Sequence, residues 1–430
     1  MPAGLEQGKS TMKHLIIGNG PTGVIAAETI ARNAPQDQVT LLGDEPEPCY
    51  SRMAIPYLLM GNIDERGAWL RKDPQHFSRL GIRQEAGRAQ RVDTMGRIVH
   101  LADGRGLDYD RLLIASGSSP MAPPIPGIDS PGVHACWTME DARRIMQLAR
   151  PGARVVQMGA GFIGCIIMEA LAARGVTLTV IEMGDRMVPR MMGPGAGSMI
   201  KAWCEQKGIV VHTSTRVDAI APGAPLGVTL SSGVTIEADL VISATGVQPN
   251  IGFARDSGID CKQGVLVDPA MQTNMAGVYA AGDCAEAWDE ASGRTVVSAI
   301  QPNAVEQGRC AAMNMSGRPV RMVDVPQINV LDTLGLISTS FGRWDGVANG
   351  EHAELLDAPA FRFLRLEFDE DRLVGSNAVG HIQHAGVLRG LIMQKVRLGA
   401  WKDRLIADPM RLTEAYIACA QRQDAWQHAH

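Results

Sequence analysis

Two glycine-rich turns are the parts of this 430-residue chain best suited to chemistry. The first runs Gly18-Asn19-Gly20-Pro21-Thr22-Gly23, and the second runs Gly159-Ala160-Gly161-Phe162-Ile163-Gly164. Both have the form G-x-G-x-x-G. The first glycine permits a tight turn, the second lets a pyrophosphate approach the backbone, and the third lets helix and strand pack closely. A helix that starts there offers free N–H groups and a partial positive charge to a phosphate. Pro21 suits the first turn of such a helix, and Ile163 would pack just inside the second.

The flanks of the two turns have the same grammar. An apolar run at 14–17 precedes the first turn, a helical stretch at 24–33 follows, and a second apolar run occupies 39–42. Around the second turn lie a strand at 154–158, a helix through Arg174 and a strand at 176–181. One isolated motif is weak evidence, because ordinary glycine turns can imitate it. Two copies in the same strand–turn–helix–strand frame indicate a duplicated dinucleotide-binding architecture.

An acid at the end of the second strand of such a unit accepts hydrogen bonds from ribose hydroxyls and repels a 2′-phosphate. In the second unit this acid is Glu182, and the nearest arginines, Arg186 and Arg190, do not follow it directly. NAD is therefore expected in preference to NADP. The first unit is less sharp: the strand ends at Gly43, and either Asp44 or Glu45 can serve the ribose while the other caps a turn.

The composition removes several classes. No apolar run approaches the ~18 residues of a membrane span. A net charge of −5 argues against general nucleic-acid binding. The eight cysteines, Cys49, Cys136, Cys165, Cys204, Cys261, Cys284, Cys310 and Cys419, form no C-x-x-C and no zinc spacing. They read as reduced, mostly packed thiols, no metal site is expected, and the N-terminus lacks a signal-peptide core. A cytoplasmic location follows, with the first ~11 residues a loose extension and Met12 an alternative start. Aromatic residues make up only 4%, so the core must be built of small aliphatic and Met side chains. The proline- and glycine-rich stretch at 119–132 reads as a domain crossing. Beyond about Arg321 the composition shifts to a separate α+β domain, with a strand at 361–368 and helical stretches at about 382–398 and 409–421.

With these motifs in order, the sequence resembles the FAD- and NAD(P)-dependent pyridine nucleotide oxidoreductases that carry two dinucleotide-binding domains. The similar branches are the rubredoxin and ferredoxin reductases, NADH oxidases, CoA-disulfide reductases and the flavin domain of nitrite reductase. The similarity covers about residues 13–320. LLIASGSSP at 112–120, with Ser116 and Gly117, is similar to the family's first "ATG" segment, and LVISATGVQPN at 240–250, with Gly246, to its second. GVYAAGDCAE at 277–286 resembles the FAD segment, in which Gly282 and Asp283 would meet a ribityl hydroxyl. QPNAVEQGR at 301–309 resembles the helix start that faces the flavin, with Asn303 and Ala304 near it.

The resemblance implies an α/β fold with two Rossmann-like domains of glutathione-reductase type and a C-terminal α+β dimerisation domain. FAD is expected in a split domain at 1–120 and 246–320, NAD in an inserted domain at 121–245, and the interface domain at 321–430. It also implies a homodimer and an electron-carrier protein as partner, with no nucleic acid and no membrane.

The family pattern breaks at 47–61, EPCYSRMAIPYLLMG. Ferredoxin reductases resemble it with Y-x-R-P-P-L-S-K; matched through Tyr50 and Arg52, a cofactor-binding candidate, their lysine falls on Tyr57. Matched through 55–57 to the C-G-L-P-Y of the CoA-disulfide reductases and NADH oxidases, the redox cysteine falls on Met53, four residues from Cys49. The glutamate that follows the NAD motif in many relatives is replaced by Ile166. Lysine and glutamate are thus absent as a pair, as the cost of an unpaired buried charge demands. Cys49 is a displaced redox thiol, a thiol near the acceptor, or a packed residue. Tyr57 is a hydrogen-bond donor or a packing aromatic. His381 and His384 line an acceptor site or, as exposed caps, do nothing chemical.

The expected function is FAD-dependent NADH:acceptor oxidoreduction, with electrons passing to a rubredoxin- or ferredoxin-like carrier or to a small acceptor. The alternatives are disulfide or CoA-disulfide reduction or NADH oxidation through Cys49, and an NADH-sensing flavoprotein of the apoptosis-inducing-factor type.

Overall fold

The computed structural model describes residues 11–290, 292–322, 328–381 and 383–420. Nearly all of the expected N-terminal extension and the final residue of the last expected helix, Gln421, lie outside them. The chain folds as two compact units. The described residues of Met1–Ala54, Glu65–Ser119 and Gln248–Val325 form one, and those of Ile55–Asp64, Pro120–Val247 and Pro326–His430 form the other.

The core of the first unit is a five-stranded parallel sheet in the order Val278–Ala280, Arg111–Ile114, Lys13–Ile17, Gln38–Gly43, Ile82–Ala86. Its strands are nearly continuous apolar runs because both faces are covered. Ile16, Leu41 and Leu113 point into a core with Val24, Ala27 and Ile30 of helix Pro21–Asn33. Leu15, Ile17, Leu42, Leu112 and Ile114 point into the opposite core. The helix begins at Pro21, three residues before the apolar stretch suggests, because proline is pre-organised for a first helical turn and needs no N–H acceptor there.

The second unit repeats this sheet in the order Val210–His212, Thr177–Ile181, Arg154–Met158, Leu240–Ser243, Val133–His134, again parallel. The same unit holds a five-stranded antiparallel sheet in the order Ile328–Thr333, Leu336–Gly342, Arg372–Val379, Arg362–Asp369, Glu351–Asp357. That sheet has its own core, in which Phe341, Leu364, Leu366 and Phe368 meet Leu388, Leu391, Leu405 and Leu412 of the C-terminal helices. The first expected C-terminal helix is shorter than its pattern, Ala385–Met393, because the chain turns left-handed at Lys395. Helix Trp401–Ala407, unread in the sequence, follows, and Pro409 opens a short 3-10 turn before helix Leu412–Ala420. Among the described residues, no helix is long and apolar enough to cross a membrane.

One buried charge cluster ties a long loop to the first helix. Glu28, almost fully buried, accepts from Arg71 Nε at 2.5 Å and Nη2 at 2.9 Å. His76 Nε2 lies 2.9 Å from the same carboxylate. Burial pushes the Glu28 carboxyl up, but Arg71 and His76 outweigh it and hold the group below its ordinary 4.5. Glu28→Gln should therefore cost about 3 kcal/mol of stability at pH 7, since it strips a shielded arginine of its anion. A depressed carboxyl contributes fully above its unfolded value, and that contribution disappears as pH falls through the folded value. The difference in urea midpoint between the native chain and Glu28→Gln should then shrink as pH falls below the ordinary 4.5. A difference that persists undiminished at pH 3 would refute this account.

Candidate functional site

Each glycine turn leaves the middle strand of its parallel sheet at the point where neighbouring strands lie on both sides. This is the switch point at which open α/β sheets bind ligands. Gly18 follows Ile17, which pairs with Leu42 on one side and Ile114 on the other. Gly18 has φ +110°, and a β-carbon there would lie 2.1 Å from the Ala115 carbonyl oxygen. A β-carbon on Gly23 would lie 1.9 Å from the Gly18 oxygen. At Gly20, by contrast, a β-carbon would meet nothing within 4 Å. The second turn repeats the arrangement: a β-carbon on Gly159, φ +98°, would lie 2.4 Å from the Ala244 oxygen, one on Gly164 would lie 2.6 Å from the Gly159 oxygen, and one on Gly161 would meet nothing within 4 Å.

The outer glycines are thus required by the fold. The middle glycines are not, and their lack of a side chain leaves the helix N-terminus bare. Gly20 and Gly161 are the N-caps of Pro21–Asn33 and Phe162–Ala173, with no side-chain cap on either. The two cradles fit the pyrophosphates of two dinucleotides. Pro21 occupies the first turn of one helix, and Ile163 lies half-buried in the first turn of the other.

The ribose acids differ for a reason of register. Met158 pairs with Ile181, which sets Glu182 beside the second turn. Its carboxylate accepts from Ala160 N and from Gly184 N, both at 2.7 Å. The equivalent pairing of Ile17 with Leu42 puts Gly43 at that place, and the Asn19 amide fills the room of the missing side chain, 2.3 Å from where a β-carbon would stand. The acids of the first unit are therefore displaced along the chain. Asp44 is exposed, and Glu45 is half-buried and bound by the Tyr50 hydroxyl at 2.5 Å and by Arg52. Arg52 also donates to Tyr50 Oη at 2.8 Å.

The remaining expected residues of the first unit gather behind its glycine turn. The Ser116 hydroxyl donates to Asn250 O at 2.7 Å, and Asn250 Nδ2 returns a bond to Ser116 O at 3.1 Å. This exchange joins the two "ATG"-like segments. Gly117, φ +66°, lets the chain turn toward Ser118, whose hydroxyl donates to Asp283 Oδ2 at 2.9 Å. Gly282, φ +80°, abuts the Thr22 hydroxyl, and its N–H donates to Gln307 Oε1 at 2.8 Å. Burial pushes the Asp283 carboxyl up, while the Ser118 bond and the Arg52 charge oppose the shift. A shielded acid of this kind suits a ligand hydroxyl.

Helix Gln301–Met315 has no side-chain cap, but the Ala304 N–H is not an available donor: it bonds Ile300 O at 3.0 Å. Donors to a ligand move back toward Gln301. Asn303 turns its amide onto Ser298 Oγ at 2.8 Å. Gly246, in the second unit, adopts φ +120° and accepts from Met121 N.

Cys49 lies in the hydrophobic core at 4% exposure, and burial pushes its thiol up to about 11. All eight cysteines are free. Tyr57 is 53% exposed, on the short helix Ile55–Leu59, which packs against helix Phe162–Ala173, the carrier of Ile166. The two departures from the family pattern thus sit on helices in contact. His381 is buried, not an exposed cap, with its Nε2 unpartnered; His384 is the N-cap of Ala385–Met393. No group of three metal-ligating side chains occurs among the described residues.

Gln157 was not anticipated from the sequence. Fully buried at the end of its strand, it donates one amide to both Gly159 O and Gly164 O at 2.9 Å, bracing the second turn from within. A polar residue interrupting an otherwise apolar strand immediately before the glycines was the available signal.

Residues 12–308 match the family model for pyridine nucleotide-disulphide oxidoreductases. The chain belongs to that family. Its members use FAD and NAD(P)H, and the chain is an NAD(P)H-dependent flavin oxidoreductase. It is 31% identical over 403 residues to the NADH-dependent phenylglyoxylate dehydrogenase subunit epsilon of Aromatoleum evansii, covering 93% of this chain and 95% of that one. It is 32% identical over 347 residues to an NADH oxidase of Methanocaldococcus jannaschii, covering 77% of each. The crystal structure of the ferredoxin reductase for the CYP199A2 system of Rhodopseudomonas palustris superposes with a TM-score of 0.82 at 25% identity, covering 90% of this chain and 97% of that one.

The open space at the middle glycines makes a clean test. Gly20→Ala and Gly161→Ala should leave the ligand-free fold within about 1 kcal/mol of native, the scale of an N-cap change. Gly161→Ala should weaken NAD⁺ binding roughly tenfold or more, a loss of about 1.4 kcal/mol, with flavin retained. Gly20→Ala should instead lower bound FAD. Calorimetric titration and the flavin absorbance of purified protein check the two, and equal effects of both variants on both ligands would contradict the assignment.

Proposed function

We propose that this chain is an NADH:acceptor oxidoreductase that passes electrons to a small one-electron carrier protein. FAD is assigned to the cradle of Gly18, Gly20 and Gly23 with Asp283, and NADH to that of Gly159, Gly161 and Gly164 with Glu182. The observation that carries the nucleotide assignment is Glu182. Two backbone N–H groups hold its carboxylate beside the second cradle, which leaves its outer lone pairs for ribose hydroxyls and opposes a 2′-phosphate. Arg186 is spent on Met192 O and Asp185 and so is not offered to a phosphate.

When bound, FAD supplies the ability to take a hydride whole and release its electrons one at a time. NADH gives up the hydride and becomes NAD⁺, two oxidised carriers each accept one electron, and one proton is released. The chain's own part is to bind and orient. The bare helix ends receive the pyrophosphates, Asp283 accepts from a ligand hydroxyl, and the uncapped start of Gln301–Met315 places a positive dipole end toward developing negative charge.

A carrier protein is favoured over a disulfide because Cys49, the thiol closest in sequence to the family's redox position, is core-packed and protonated at neutral pH. The name of the similar ferredoxin reductase agrees with a protein acceptor, and that of the NADH oxidase with O₂ as the competing small acceptor. A cytoplasmic location and a homodimer belong to the same reading; the absence of disulfides among the eight cysteines, all of them described, supports the reducing compartment.

Anaerobic reduction by NADH followed by addition of rubredoxin, ferredoxin, O₂, quinone or CoA disulfide tests this. A carrier protein should reoxidise the flavin at least about tenfold faster than the small acceptors, a difference of about 1.4 kcal/mol in barrier. Cys49→Ala should leave both half-reactions within twofold of native, on the order of 0.4 kcal/mol. Reoxidation abolished in Cys49→Ala, or faster reduction by NADPH than by NADH, would overturn the corresponding half of the proposal.

A further inference from the structure

The segment after Glu182 is bound at both ends. Val188 donates its N–H to Ala160 O at 2.8 Å, inside the second glycine turn, while Glu182 accepts from Ala160 N at 2.7 Å. Both polar backbone groups of Ala160 are thereby occupied by this segment. Val188 makes its bond from φ +52°, a left-handed conformation that a β-branched residue adopts only under constraint. Strain of this kind persists where surrounding structure over-determines it.

The constraint comes from another sheet. Asn377, fully buried in strand Arg372–Val379 of the antiparallel sheet, donates Nδ2–H to Met191 O at 3.0 Å and accepts from Gly193 N at 2.7 Å. Met191 and Met192 in turn donate to Val188 O at 3.0 Å and 2.9 Å, and Arg186 closes the loop on Met192 O at 2.8 Å. One side-chain amide thus pins the far end of a loop whose near end grips the glycine turn. Gly193 is also the N-cap of helix Pro194–Gln206, so its position fixes where the loop stops.

We propose that Asn377 is a positioning residue for pyridine-dinucleotide binding, acting through the 184–193 loop and Val188 on Ala160. The proposal rests on the assignment of NADH to the Gly159–Gly164 cradle. Asn377 touches no nucleotide; it holds the strained loop that sets the orientation of the Ala160 peptide. Without it Val188 relaxes out of the left-handed region, the Ala160 contact loosens, and the ribose acid and phosphate turn lose their mutual register. The antiparallel sheet therefore tunes affinity for a dinucleotide.

The test uses the FAD-loaded protein carrying Asn377→Ala or Asn377→Asp. The aspartate keeps an acceptor for Gly193 N–H but cannot donate to Met191 O. Three quantities are read: NAD⁺ dissociation constant by titration calorimetry, KM and kcat for NADH with ferricyanide as acceptor, and amide exchange of a peptide containing Val188. In both variants the dissociation constant and KM should rise roughly tenfold, with kcat and flavin content within twofold and faster exchange at Val188. A merely structural role would instead lower thermal stability, flavin content and kcat at unchanged NAD⁺ affinity, and that result overturns the proposal. So does failure of both variants to yield folded, flavin-loaded protein. Gly161→Ala separates the layers. If it leaves NAD⁺ affinity unchanged, the cradle assignment itself fails; if it weakens binding while the Asn377 variants do not, only the present proposal fails.

Discussion

Everything in the two nucleotide cradles depends on one contact made twice: a backbone carbonyl of a neighbouring strand end lying where a glycine β-carbon would be. Ala115 O does this to Gly18, and Ala244 O to Gly159. The contact lets the strand turn into its helix within three residues, so that the helix N-terminus stands directly above the sheet edge. The third glycine of each motif then lets the first helical turn rest on the carbonyl of the first glycine. No side chain can replace either glycine, because the obstructing atoms are backbone and cannot move aside. The space left at Gly20 and Gly161 is a consequence of this packing, and it is the space a pyrophosphate needs.

The charged groups divide by how they are neutralised. Glu28 is buried and paired with cations, so it stays ionised and anchors a loop. Glu182 is half-buried, with each of its carboxylate oxygens held by a backbone N–H group. Asp283 is shielded, and its burial raises its proton affinity against the opposing Ser118 bond and Arg52 charge. The thiols show the opposite economy. Burial pushes Cys49 up to about 11 and Cys136 and Cys204 to about 12, which removes the thiolate that disulfide exchange requires. Among the described residues, this burial is the physical basis on which the proposed function prefers a carrier protein to a disulfide as acceptor.

Much of the fold was legible because its signals are local. The paired motifs, their flanking strands and the strand at Arg362–Asp369 all follow from periodicity and turn residues read within a short window. The misreadings arose where a distant partner decides. The roles of Asp44 and Glu45 could not be separated without the register that pairs Ile17 with Leu42 and so puts Gly43 at the place equivalent to Glu182. Which N–H groups of the helix near Ala304 stay open depends on where that helix starts, and Ile300 O already accepts from Ala304 N. His381 reads as an exposed cap from its place beside the helix start, but the fold buries it. Gln157 and Asn377 carry amides into buried strands, where sequence alone cannot say whether a polar group has found partners.

The sequence by itself determined the duplicated glycine motifs, the acid at 182, the apolar strands around them and the absence of a patterned cysteine pair, because each is a property of residue type and short spacing. Tertiary structure alone decided which carbonyls the glycines meet, that Cys49 is in a core, that Asn19 takes the room beside Gly43, and that Asn377 reaches Met191 and Gly193. These last facts are contacts between residues brought together only by folding. Their energies depend on burial and on hydrogen-bond geometry, neither of which is a property of a residue or its neighbours in the chain.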